Sequence, residues 1–140
     1  MASQIYNSAI EDLVRGAIDF DTDTFKALLV TDAYTPDVDA HAKRSDVTNE
    51  VANGNGYTTG GTVVAATITR DNANNRIDVA FADHNYPSAS FTARAAVIYK
   101  SRGGASNLDE LVAYVDFLAN ITATNGTFSV DFTSPLRFQM

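Results

Sequence analysis

Apolar residues recur along this chain with two different periods. Near the N-terminus Ile10, Leu13, Val14 and Ala17 are spaced as on one side of a helix. Ser8 stands three residues before Glu11, the pattern of a reciprocal N-terminal cap, and Gly16 suits a left-handed C-terminal cap. The spacing predicts a short amphipathic helix and turn within residues 4–18, beginning as early as Gln4. Its apolar stripe packs either on the domain or on a neighbour. From Thr24 onward the period falls to two, and strand-like runs alternate with clusters of Gly, Asn, Asp and Ser.

Residues 24–30 form a nearly continuous apolar run of strand length, as expected of a central strand. The polar, acidic residues 31–45 follow as a long loop with at most one helical turn. Residues 46–51 read as a short edge strand, and Asn53-Gly54 and Asn55-Gly56 signal a chain reversal. Residues 62–70 and 76–81 flank the polar link 71–75 and predict a hairpin, with Ile77, Val79 and Phe81 on one face and Asp78 and Ala80 on the other. Residues 91–100 predict a long strand ending in a turn at 101–104. Residues 111–118 are rich in β-branched and aromatic side chains and favour strand, with a helix capped by Asn107 and Glu110 as the alternative. A turn at Asn125-Gly126 precedes the alternating strand 127–132, in which Phe128, Val130 and Phe132 point inward and Asp131 outward. Beyond Pro135, residues 136–140 are either a last short strand or an apolar arm reaching a neighbour.

These runs give about six to eight strands without an internal repeat or linker. They predict one mainly β domain over residues 1–140, an antiparallel two-sheet β-sandwich with a short N-terminal α-helix. Within it, residues 4–18 hold the helix and turn, 24–133 the sandwich, and 134–140 the tail or last strand.

Composition narrows the function. With 45% hydrophobic and 19% charged residues the chain has the balance of a folded domain. It has no cysteine, which removes thiolate nucleophiles and Cys-ligated metals. The N-terminus lacks the basic start and apolar stretch of a signal peptide, so a soluble protein without classical export is expected. Seventeen acidic against ten basic residues give a net charge of −7, which repels phosphate backbones and anionic lipid. Neither nucleic acid nor membrane is expected as a partner; Lys43 with Arg44 and Lys100 with Arg102 are the only basic pairs close in sequence.

The candidate chemistries fail on spacing. Asp19, Asp21 and Asp23 alternate as at the start of a calcium loop, but Thr24 stands where glycine is needed and Val30 where a bidentate acid is needed. Asp37, Asp39 and His41, with Asp83 and His84, are types that bind metals, but no spacing fixes a coordination set; exposed loop histidines are expected instead. The glycines at 54, 56, 60 and 61 do not follow a phosphate-binding pattern and are read as a mobile hairpin or connecting loop. Ser106 lacks the second glycine of a nucleophile elbow. The sequons at Asn120 and Asn125 are read as turns. Tyr57, Tyr86, Tyr99 and Tyr114 are candidate interface anchors, with ordinary packing as the alternative. No catalytic, cofactor-binding or metal-binding residue is assigned, no cofactor is implied, and an enzyme is not expected.

Residues 19–30, then Val47-Thr48-Asn49-Glu50-Val51 leading into Gly54-Asn55-Gly56-Tyr57 and Gly60-Gly61, together with residues 91–99, resemble small structural proteins of tailed bacteriophages. The resemblance implies a virion component, a cement or decoration protein on the outside of an icosahedral head. Its implied partners are the major capsid protein and copies of itself, commonly in a trimer, with assembly in the host cytoplasm. A tail or head-to-tail connector component shares the same size and architecture. A sandwich that binds carbohydrate or another ligand through Tyr57, Tyr86 and the loop acids is the remaining reading.

Overall fold

The run 25–30 and the long runs on either side of residue 105 pair as the middle of a sheet, because their side chains are apolar on both faces. The computed structural model describes residues 1–139. Its elements, in chain order, are β1 (Ala2–Ile5), α1 (Asn7–Arg15), β2 (Phe25–Val30), β3 (Thr62–Val64), β4 (Ala66–Asp71), β5 (Arg76–Phe81), β6 (His84–Lys100), β7 (Leu111–Val130) and β8 (Leu136–Gln139). A five-stranded sheet has the order β1-β7-β6-β2-β3 and a three-stranded sheet the order β4-β5-β8, with every pairing antiparallel. The architecture is a two-sheet β-sandwich with one short N-terminal helix.

Alternation along the strands divides the core. Phe25, Ala27 and Ile98 face the second sheet and pack with Val79, Phe81 and Leu136; Ala9 of α1, Ile18 and Phe20 close the same cluster. Farther along β6 and β7, Leu29 and Ala96 meet Val51, Tyr57, Tyr86 and Phe128. The intervening residues Leu28, Val30, Ala95, Val97 and Tyr99 belong to a third cluster, covered by Tyr6, Tyr34, Val38 and Val47. The long loop after β2 therefore acts as a third layer over the central strands.

Several local expectations are corrected. Residues 2–5 form β1 on the edge of β7, so the helix begins at Asn7 and not near Gln4. Its N-cap is Tyr6, without a side-chain cap; Ser8 lies inside the first turn and Glu11 pairs with Arg15. The helix entry is held by distant backbone instead, through bonds from Tyr6 N–H to Val112 O and from Asn7 N–H to Val38 O. Gly16 does close the helix, with φ of 79°. Ala9 and Leu13 turn toward the core, whereas Ile10 and Val14 are exposed. Residues 46–51 form no strand beyond a single bridge from Glu50 to Val30. The run 62–70 is divided at Ala65, which carries the chain from one sheet to the other. Asn125-Gly126 is not a turn: it lies within β7, where Asn125 takes a φ of 47° beside a register shift. The strand at 127–132 is accordingly the end of β7, and the sequon at Asn120 also lies in that strand. Residues 136–139 form β8 against β5, a last short strand; Met140 lies outside the described residues.

Candidate functional site

The acidic turn after α1 is occupied by its own backbone. Asp21 N–H donates to Asp19 Oδ1 at 2.9 Å and Asp19 N–H to Asp23 Oδ2 at 2.8 Å, while Lys100 Nζ sits 2.9 Å from Asp23. Asp37 Oδ1 likewise accepts from Asp39 and Ala40 N–H, and Asp39 accepts from Asn7. Asp83 accepts from Phe132 N–H. Among the described residues no group of three or more acids or histidines comes together as a metal site. Ser106 begins a single turn, Ser106–Leu108, between β6 and β7.

Neither histidine is fully exposed. His41 stacks on Tyr34, and its Nδ1 accepts from Asp37 N–H at 3.2 Å and lies 3.0 Å from the Tyr34 hydroxyl, which in turn is 2.8 Å from Tyr6 Oη. This chain ties the loop to the helix entry. His84 opens β6 between the rings of Tyr86 and Phe132, and burial pushes its imidazole below the ordinary histidine range. The apolar spacing of 84–91 hides that packing in the sequence, because Asp83-His84-Asn85 is a polar run.

The glycine-rich segment is a connecting loop held at Tyr57 and Gly60. Tyr57 is 2% exposed; its hydroxyl donates to Glu50 Oε2 at 2.6 Å and accepts from Leu29 N–H at 3.0 Å. Gly60 N–H donates to the same Glu50 oxygen at 2.7 Å, and the Tyr99 hydroxyl donates to Gly60 O at 2.6 Å. Tyr86, at 5% exposed, packs against Tyr57, Phe91 and Phe128. Tyr99 and Tyr114 are buried too, and burial pushes the Tyr99 hydroxyl up to about 12. All four candidate anchors thus serve the interior. A sugar-binding face built on Tyr57 and Tyr86 has no exposed ring to stack on.

Asp109, which no motif marks, and Glu110, read from the sequence only as a possible helix cap, gather three of the four paired cations. Asp109 is 2.8 Å from Arg44 Nε and accepts from Arg102 N–H; Glu110 takes Arg102 at 2.6 and 2.9 Å, with Lys43 at 3.7 Å. Burial by itself raises the Glu110 carboxyl, but hydrogen bonds from Arg102 and the nearby Lys43 carry it below the ordinary range. Arg44 also lies over the Tyr99 ring at 5.1 Å. Lys43, Arg44 and Arg102 are thus each paired with an acid here, as Lys100 is with Asp23.

Part of the outward surface is apolar. Between α1 and the second sheet runs a groove of about 280 Å³ lined by Leu13, Phe20, Ile68, Ile77, Val79 and Phe138. Ile68 remains 45% exposed in it, and on the same helix Val14 is 84% and Ile10 42% exposed. The groove was missed in the sequence because its lining comes from α1, β4, β5 and β8, which only the folded chain juxtaposes; the helical spacing of Ile10 and Val14 was the one available signal. The chain matches no protein-family model, no curated protein and no solved structure.

Proposed function

We propose that this chain is a structural protein of a tailed-bacteriophage virion, a cement protein that binds the outer surface of the head and stabilises the shell. The observation that supports the reading most is the apolar groove beside α1, a helix on which Val14 and Ile10 are also exposed. Apolar surface held open on a well-packed scaffold favours attachment, because covering it releases about 25 cal/mol per Å². The charge of −7 suits the exterior of a DNA-filled shell better than its lumen. Repetition over a symmetric lattice lets modest contacts with the major capsid protein act together.

Cryo-electron microscopy of the virion tests the proposal. Density for this chain in many copies over the capsid surface is expected, with α1 and the groove facing the shell. A few copies on the portal axis would assign it to the tail or connector, and a particle without the chain would end the structural reading altogether.

A further inference from the structure

β7 has a free edge that the rest of the fold leaves open. β1 pairs with it only from Ala113 to Asp116, and beyond that point no strand among the described residues lies on the side opposite β6. The stretch from Phe117 to Val130 contains no ionisable side chain, although the whole chain carries 27 Asp, Glu, Lys and Arg over 140 residues. Leu118 and Asn125 take positive φ of 69° and 47°, and between these kinks Ala93, Thr92 and Phe91 of β6 pair in regular register with Ile121, Thr122 and Ala123. Residues 121–123 therefore hold a regular extended backbone with outward donors and acceptors, while residues 117–120 bulge opposite Arg94.

Other edges are blunted as edges usually are. β1 spans only Ala2–Ile5 and β3 only Thr62–Val64, the side of β6 not covered by β2 carries Pro87 and Arg94, β4 carries Arg70 and Asp71, and β8 follows Pro135 and carries Arg137. The β7 edge has neither charge nor proline. It has instead an apolar knob and an apolar hollow: Leu118 and Ile121 are 59% and 42% exposed, and a hollow of about 220 Å³ beside them is lined by Met1, Phe117, Ile121, Phe128, Ser129 and Asp131.

The geometry points to a second copy of this chain as the occupant, its β7 pairing antiparallel with the first about a two-fold axis near Thr122. Antiparallel pairing of one strand with itself is self-complementary, as a two-fold interface requires. Charge favours this edge: two molecules of net charge −7 repel, and the strand stretch 117–130 carries no ionised side chain, Asp131 of the hollow lying just beyond it. Knob and hollow lie on the same patch, so each copy supplies what the other lacks. The ten-stranded continuous sheet that results is a dimer, in place of the trimer that the phage resemblance implies. The inference does not depend on the head-binding reading.

Sedimentation of the full chain tests it. Wild type is expected at twice the 15.0 kDa chain mass, with the amides of 121–123 that point away from β6 protected from hydrogen exchange and deprotected on dilution. Ile121→Lys and Ile121→Asp are each expected to sediment at the single-chain mass, and an equimolar mixture of the two to return to the doubled mass. Circular dichroism checks the fold of each variant; if either is unfolded, Thr122→Lys reads the same edge. A wild-type monomer at the highest soluble concentration, a trimer, a dimer in which those outward amides exchange freely, or a dimer indifferent to both charges overturns the inference.

Discussion

Gly61 shows how one residue holds two elements. Its φ is +78°, and a β-carbon there would overlap the carbonyl group of Ala27 and approach the Leu28 Cα at 2.7 Å, on the very strand that β3 joins. Neither backbone can yield without separating β2 from β3. Gly61→Ala is expected to lower stability by about 3 kcal/mol, combining a strained dihedral with overpacking; a urea midpoint unchanged from wild type would refute this. His84 carries a pH signature. Both ring nitrogens lack a hydrogen-bond partner, and burial lowers the affinity of the imidazole for its proton in the fold. The unfolded chain takes up a proton at about pH 6.5 and the folded chain only at lower pH, so stability is complete above about pH 6.5 and declines as the pH falls below it. In His84→Phe, a ring that fits between Tyr86 and Phe132, that part of the decline should vanish from thermal melts recorded as a function of pH. Glu110 adds a separate loss at more acidic pH, where its depressed carboxyl finally protonates.

The strands differ in how they earn their place. β6 and β7 form the spine because Ala95 to Tyr99 and Leu111 to Val115 are buried on both faces, one against the second sheet and one against the loop layer. β8 is short, and its one fully buried side chain is Leu136, 3% exposed opposite Val79, with Phe138 partly buried beside it. Leu136→Ala should cost about 3 kcal/mol and release β8 from β5, visible as faster amide exchange in residues 136–139; equal exchange in both proteins would contradict this. The helix illustrates the opposite case. With Ala9 and Leu13 inward and Ile10 and Val14 outward, α1 both closes the sandwich and leaves an apolar face uncovered.

For the molecule as a whole, what matters is which polar groups remain available. Lys43, Arg44, Lys100 and Arg102 all contact acids, so the negative net charge is not offset by a basic face at these positions. Under the proposed function, the groove by α1 is the surface for attachment. Val14→Glu with Ile68→Glu changes two exposed side chains, so folding stability should stay within about 0.5 kcal/mol of wild type. Binding to phage heads that lack the protein should weaken by at least ~10-fold, about 1.4 kcal/mol. Undiminished binding of this folded double variant would remove the groove from the proposed interface.

The class of fold, the order of its main strands and the hairpin at residues 71–75 were legible in the chain, because a period of two in side-chain polarity and the backbone freedom of Gly and Asn act over a few neighbours. Pairings made over long separations were not. Residues 2–5 become a strand only because β7 offers an edge, Ala65 becomes a corner only because two sheets need joining, and Asn125-Gly126 stays in a strand because its partner across the ribbon, Ala89, holds it there. The same holds for surface: Tyr57 and Tyr86 are anchors directed inward, while the groove of Leu13, Ile68 and Phe138 and the open edge of β7 exist only once distant segments pack. Side-chain chemistry is written residue by residue, but exposure is a property of what lies opposite, and that is decided by tertiary packing alone.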